Sequence, residues 1–230
     1  MTEPDHDKIY RQEALQYHEL IAKQPELSSL IDELCPIDGL DVVDMGAGTG
    51  RLSVALAPRV RSLVALDASE AMLRITADRL RSADISNWKT AVADHRKLPL
   101  ADHRADLVVS GWSICYLASS NDPDWERNLA AVIGEIRRVL RPGGTAIIFE
   151  TMGTGFETPH PPDFLRSYYA ALERDYGFSH RWIRTDYEFD DIRQAEQLSR
   201  FFFGDELADK VVRDNLVRLP ECAGVWWRLE

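Results

Sequence analysis

The sequence predicts an α/β fold, a doubly wound sheet with helices on both faces. Two observations carry this. Apolar runs of strand length alternate with segments of helical period across residues 40–150, the pattern of successive βαβ units. The first apolar run, Val42-Val43-Asp44-Met45, leads directly into Gly46-Ala47-Gly48-Thr49-Gly50-Arg51. Glycines alternating after a strand let the chain turn tightly and approach a ligand closely, where any Cβ would intrude.

The elements follow in order. Residues 8–34 read as helical, with Leu15, Leu20, Ile21, Leu27, Leu30, Ile31 and Leu34 as apolar positions and an interruption at Pro25. Residues 40–45 form a buried strand, and 52–56 open a helix after the glycines. Residues 62–66 make a second strand closed by Asp67. Ser69 then supplies an N-cap and Glu70 a first-turn acid for a helix to about Leu80. Residues 88–93 are a third strand ending at Asp94, and 106–110 a fourth. Leu129, Val132, Ile133, Ile136, Val139 and Leu140 recur at helical spacing within 127–140. Arg141-Pro142-Gly143-Gly144 stops that helix, and 145–150 form a fifth strand. A helix over 163–176, a β-rich run over 181–189, more helix to about Val217 and a strand over 223–229 complete the chain.

Composition narrows the function. At 230 residues the chain can bury a proper core. Its 27 basic and 38 acidic residues give a net charge of −11, which repels phosphate backbones and anionic membranes. Arg137, Arg138 and Arg141 read as an exposed helix face rather than a binding stripe. Cys35, Cys115 and Cys222 are an odd set without metal spacing, which points to a reducing compartment. The start, Met-Thr-Glu-Pro-Asp-His-Asp-Lys, is polar and lacks an apolar signal core, and no stretch reaches membrane-spanning length. A cytoplasmic protein is expected, as monomer or homodimer. The six histidines show neither HExxH nor two-His-carboxylate spacing, so no metal is expected.

The run Asp44-x-Gly46-x-Gly48-x-Gly50 resembles motif I of the class I S-adenosylmethionine (SAM) dependent methyltransferases, and further pieces follow in family order. Asp67 ends the second strand, Asp94 and His95 the third, Ser110-Gly111-Trp112 the fourth, and Arg141-Pro142-Gly143-Gly144 precedes the fifth. The resemblance covers residues 10–150 and thins beyond Thr151. It implies a seven-stranded Rossmann-like sheet whose last strand is antiparallel, with an N-terminal helical lid. Residues 1–230 would be one domain: a helical cap over 1–38, a SAM-binding core over 39–150, and a substrate-side insert with the last two strands over 151–230. It further implies that Asp44 faces the methionine ammonium, that Asp67 accepts the ribose hydroxyls and that Asp94 with His95 meets the adenine. Gly46, Ala47, Gly48, Gly50, Ala68, Met72 and Ser110 complete that set. Tyr10 and Tyr17, seven residues apart, would share one face of a helix folded over the pocket, with Tyr17 on the cofactor; His18 faces elsewhere.

Methyl transfer needs alignment in a water-poor pocket more than covalent chemistry from the protein. Trp112 and Tyr116, after the fourth strand, and Tyr187, in the later insert, join Tyr10 as candidate walls for a small-molecule acceptor. His160, in the proline-stiffened loop Phe156-Glu157-Thr158-Pro159-His160-Pro161-Pro162, is the candidate general base and also a substrate contact, because imidazole titrates near neutrality. Two alternatives stay open. An NAD(P)-dependent oxidoreductase also places an acid about 20 residues past its glycines, although Arg51 stands where its third glycine would. A SAM-binding protein without catalysis would carry the same cofactor residues.

Overall fold

The computed structural model describes residues 4–230. Its N-terminal segment folds as three short helices, α1 (His6–Gln12), α2 (Ala14–Ile21) and α3 (Ser28–Leu34). The apolar pattern reads as one helix as far as Pro25, but the chain breaks earlier. Glu13, with φ −125° and ψ 26°, leaves the helical region and separates α1 from α2.

Beyond it the alternation predicted from the sequence appears. The elements are β1 (Asp41–Met45), α4 (Arg51–Leu56), β2 (Ser62–Asp67), α5 (Glu70–Ser82), β3 (Trp88–Val92), β4 (Ala105–Gly111), α6 (Cys115–Ala118), α7 (Trp125–Val139) and β5 (Leu140–Thr154). The chain continues through α8 (Asp163–Arg174), β6 (Ser179–Arg184), β7 (Tyr187–Glu188), α9 (Ile192–Phe203), α10 (Asp205–Arg213), β8 (Arg218–Leu219) and β9 (Glu221–Leu229). Ser69 caps α5 as expected, its hydroxyl accepting from the Met72 N–H at 3.3 Å, and Glu70 sits in the first turn. In α7 Leu129, Val132, Ile133, Ile136 and Val139 face inward.

Strand order is β3-β2-β1-β4-β5-β9-β6. The pairs from β3 to β5 are parallel, and β9 runs antiparallel between β5 and β6. This is the seven-stranded doubly wound sheet with its last strand antiparallel. Strand β5 is longer than the sequence indicates. Arg141-Pro142-Gly143-Gly144 ends α7 and then forms an irregularity inside the strand, with Ala105 pairing Leu140 and Leu107 pairing Thr145. The expected β-rich run over 181–189 splits: β6 joins the sheet, while β7 pairs only with β8 in a two-stranded ribbon.

Successive residues of a strand face opposite sides, and the core divides accordingly. Val43, Val108, Ile133, Ile136 and Tyr168 belong to one buried cluster, under α7 and α8. Val42, Ile31, Leu52, Leu63 and Leu73 belong to the other, under α3, α4 and α5. A third cluster joins Leu20 of α2 to Tyr187, Leu198, Val211 and Leu219. It roofs the carboxyl end of the sheet, where β1 and β4 part company in connection and a doubly wound fold opens its crevice.

The opposite end of the sheet is closed by charge. Asp41 accepts from Arg61 at 3.0 and 2.6 Å, from Ser62 Oγ at 2.6 Å and from Arg141 at 2.9 Å, and Arg141 also reaches Asp106 at 2.6 Å. Arg141 therefore ties strands together; it is not part of an exposed helix face. These bonds hold the Asp41 carboxyl well below the usual carboxylate range, the Arg61 bonds foremost. The folded state thus binds this proton more weakly than the unfolded chain. The cluster's contribution is fully present above about pH 4 and is lost as pH falls below that. Asp41→Asn should destabilise the fold by about 1–3 kcal/mol in urea titrations at neutral pH. The difference from wild type should shrink in acid.

Candidate active site

The glycine loop is a backbone structure fixed from several sides. Gly46 and Ala47 both donate to the Leu66 carbonyl, at 2.8 and 2.9 Å. Thr76 Oγ1 donates to the Gly48 carbonyl and Arg79 to the Thr49 carbonyl, each at 2.7 Å. His18 faces Thr49 Oγ1 at 3.2 Å. At Gly46 the backbone is left-handed, with φ +80°, and a Cβ there would lie 2.2 Å from Ser113 Oγ and 3.1 Å from His95 Nε2. Only glycine fits that approach. Gly50, also left-handed, caps α4 and packs on Thr76 instead of facing a cavity.

Two cavities adjoin this loop, of about 480 and 250 Å³. They share Tyr10, Tyr17, Gly46, Gly48, Trp112 and Tyr116 as walls. The smaller is bounded by Asp67, Ala68, Met72, Asp94 and His95, and the larger by Asp44, Ala47, Arg51, Tyr187 and Glu221. Each predicted strand-end acid therefore reaches a cavity. Asp67 accepts the N–H groups of Gly48 and Ser69, one on each oxygen, both at 2.8 Å. Burial nevertheless pushes its carboxyl up. Asp94 is held low, to about 2, chiefly by the Arg96 guanidinium. His95 is buried and pushed down to about 4 by desolvation, so its ring is neutral near pH 7. Asp44 is 1% exposed; one oxygen accepts from Ser53 Oγ at 2.6 Å and the other has no partner. Desolvation drives it up to about 7.

The predicted acceptor walls divide. Tyr10 and Tyr17 meet edge to face, 5.2 Å apart, although the break at Glu13 puts them on separate helices. The hydroxyls of Tyr10 and Tyr116 touch across the mouth. Trp112 adopts φ +51°, an unusual backbone for a bulky residue, and its N–H donates to the Phe149 carbonyl at 2.7 Å. His160 is not brought to either cavity. Its ring is exposed and stacks on Phe156 at 4.2 Å, while its backbone N–H is anchored to the Met152 carbonyl at 2.6 Å. Ser110 lies behind the wall, bonded to Ser113 Oγ at 2.9 Å; it is Ser113 that lines the smaller cavity.

Sequence reasoning missed Glu150, and also Glu221 and Arg51 as wall residues. Glu221, 2% exposed, accepts from Thr151 Oγ1 at 2.9 Å and leaves its second oxygen unpartnered. Glu150, fully buried, accepts from the Cys115 N–H at 3.0 Å and from the Tyr168 hydroxyl at 3.3 Å. Burial pushes both up to about 7. The one available signal was an acid set in an otherwise apolar strand, Ile147-Ile148-Phe149-Glu150.

The site fits a nucleoside-bearing cofactor. A carboxylate with free lone pairs sits at the end of β2, a buried unpartnered carboxylate oxygen at the end of β1, and between them runs a backbone cradle that a Cβ would fill. Residues 42–144 match the family model of a methyltransferase domain. The chain is 30% identical over 166 residues to a malonyl-[acyl-carrier protein] O-methyltransferase of a Marinomonas species, covering 71% of this chain and 55% of that protein. It spans about half the length of the curated relatives it matches first. Among solved structures it resembles a SAM-dependent methyltransferase from Aquifex aeolicus, with TM-score 0.58, 16% identity and 96% and 95% of the two chains covered. A phosphoethanolamine N-methyltransferase from Haemonchus contortus, solved with phosphoethanolamine and S-adenosylhomocysteine, gives TM-score 0.52 at 19% identity, over 96% of this chain and 46% of that one. With its glycine loop, sheet order and domain match in agreement, the chain carries a methyltransferase domain over residues 42–144 and resembles the class I SAM-dependent methyltransferases.

Proposed function

We propose that the chain transfers a methyl group from SAM to a small-molecule acceptor. One observation carries this: two adjoining cavities at the switch point, the smaller walled by Asp67, Asp94 and His95, the larger by Asp44 and a ring of aromatic residues. Bound SAM supplies an already activated methyl on its sulfonium. The chain's own residues hold, orient and dry the reactants. Asp67 has a lone pair left on each oxygen for ribose hydroxyls. Ala68, Met72, Asp94 and His95 bound the adenine space. Asp44 takes the ammonium, and Tyr17 covers the donor. Tyr10, Trp112, Tyr116 and Tyr187 wall the acceptor and exclude water, which strengthens every charge interaction inside. Glu221 replaces His160 as the candidate proton acceptor: it lines the larger cavity, and its unpartnered oxygen titrates near neutrality. No helix of the described residues is long and apolar enough to cross a membrane. The free thiols of Cys35, Cys115 and Cys222 suit a reducing cytoplasm.

Calorimetric titration separates this reading from its rivals. Wild type should bind S-adenosylhomocysteine and give no heat with NADH. Asp67→Ala should weaken that binding at least about 30-fold by removing charge-assisted bonds to the ribose. NADH binding alone would overturn the proposal. Tight homocysteine-product binding without methyl transfer to any member of a broad acceptor panel would favour the non-catalytic alternative.

Asp44 adds a pH signature. Its folded carboxyl lies near 7, and an ammonium placed beside it lowers that value, so binding displaces a proton wherever Asp44 is protonated beforehand. At about pH 6, binding should release most of one proton, falling toward zero by about pH 8.5. The readout is the dependence of calorimetric enthalpy on the ionisation enthalpy of the buffer, and Asp44→Asn should abolish most of it.

A further inference from the structure

The larger cavity, of about 480 Å³, has a wall built from rings. Tyr10, Tyr17, Tyr116, Tyr187, Phe202 and Phe203 reach it from α1, α2, α6, β7 and α9. They touch one another in an unbroken series. Between ring centres, Tyr116 lies 5.8 Å from Tyr10, Tyr10 lies 5.2 Å from Tyr17, and Tyr17 lies 5.3 Å from Phe202. Phe203 lies 5.1 Å from Phe202 and 5.7 Å from Tyr187. Where packing alone is needed, as under α3, α4 and α5, the buried residues are nearly all aliphatic. Elements far apart in the chain thus converge to line this one chamber with π systems.

Among the described residues, nothing on these walls offers a free cation to an anionic ligand. Arg51 is the one arginine or lysine that lines the chamber. Its Nη1 donates to Gln24 Oε1 at 2.7 Å, its guanidinium carbon lies 4.1 Å from the centre of the Trp112 ring, and Nη2 has almost no accessible surface. The fork is taken up by the wall itself. His6 is engaged too, stacked on Phe202 at 4.4 Å and bonded to the Phe202 carbonyl at 3.1 Å. The remaining charged members are acids, Asp44 and Glu221, which burial raises to about 7 and which repel an anion when ionised. A carboxylate or phosphate entering here would lose its water without gaining a cation, which costs far more than burying a neutral group of the same shape. A protonated amine has no lone pair to offer a methyl donor.

We infer that the acceptor is a flat, uncharged arene or heteroarene bearing one hydroxyl or amine, and that acceptors bearing a carboxylate or a phosphate are excluded. Rings bind a flat partner with energy beyond the area they bury, through offset stacking and edge-to-face contact. The cavity's volume lies in the lower part of the range for small-molecule sites, roughly 300–1,000 Å³, which suits one or two fused rings better than a long chain. The inference rests on the methyl-transfer reading and names the acceptor class for it. In that reaction the acceptor's lone pair forms the bond to the methyl carbon, while the methyl–sulfur bond breaks with its pair left on sulfur. The acceptor's proton passes to the ionised Glu221 carboxylate.

Protein saturated with S-adenosylhomocysteine should be titrated calorimetrically with probes of matched skeleton: 2-naphthol, its saturated analogue 2-decalol, 2-naphthoate and 2-naphthyl phosphate. 2-Naphthol should bind. The others should bind at least about 10-fold more weakly, 2-decalol because it has no π face and the two anions because no cation meets them. Phe202→Leu should weaken 2-naphthol about 3- to 10-fold and leave 2-decalol and S-adenosylhomocysteine within about twofold, a split that general loosening of the roof would not produce. Equal weakening of all three overturns the role given to the rings. 2-Decalol binding as tightly as 2-naphthol overturns the flat acceptor, and either anion binding as tightly overturns the exclusion of charge. No binding of 2-naphthol to the saturated protein overturns the inference outright. Failure of wild type to bind S-adenosylhomocysteine in the first place overturns the methyl-transfer reading instead.

Discussion

At Gly46 the end of β1 runs so close to the loop after β4 that a Cβ would overlap Ser113 Oγ. The crevice depends on this approach. Strands β1 and β4 are neighbours in the sheet, but their connections leave in opposite directions, so nothing in the topology alone joins their carboxyl ends. Ser113 does so, donating to the Met45 carbonyl at 3.1 Å while meeting Ser110 and His95 through the same oxygen. Short polar side chains, not apolar packing, hold this floor together. The backbone of Gly46 and Gly48 is thereby left bare as cavity wall, within reach of a ligand.

Charge is distributed oppositely at the two ends of the sheet. At the amino ends of the strands, Asp41 and Asp106 are paired with Arg61 and Arg141. At the carboxyl ends, Asp44, Arg51 and Glu221 each keep a buried atom without a partner. The first arrangement favours the folded state at neutral pH. The second opposes it: Asp44 and Glu221 have folded carboxyls above their unfolded values, and that relative stability is lost as pH rises toward about 7. Stability is thus built at one end, and a set of unsatisfied groups is held at the other.

The parts legible in the sequence were those that local rules determine. A strand ends near where an acid follows an apolar run. Composition and spacing alone thus put Asp44 and Asp67 within the last two residues of β1 and β2, while β3 ends at Val92, two residues before Asp94. Ser69 and Glu70 marked the start of α5 for the same reason. His160 defeated the local rule. Its proline-rich loop does follow β5, but Gly153 lies so close to the His160 backbone that a Cβ would meet its carbonyl at 2.7 Å, and the ring settles on Phe156 outside. Glu221 and Arg51 lie 170 residues apart in the chain and meet one cavity only because β9 inserts beside β5. No periodicity in one sequence encodes that meeting. The Glu13 break was equally hidden, since residues on either side have ordinary helical propensity.

The roof over the cavity follows from the same break. A seven-residue helix such as α1 has too few internal bonds to persist alone in water. It exists through what it touches: Ser69 Oγ donates to the Tyr10 carbonyl at 2.9 Å, His6 stacks on Phe202 at 4.4 Å, and Tyr10 meets Tyr17 and Tyr116 edge to face. Every one of these partners belongs to the cavity rim or to the cap of α5. The central sheet, by contrast, is buried on both faces and carries the bulk of the apolar packing. Local opening free energy must therefore be lowest at α1 and highest in β1 and β4. Because Ser69 both caps α5 and holds α1, the element that positions Asp67 and the element that roofs it share one hydroxyl, so disturbance of either is felt at the Asp67 side of the smaller cavity.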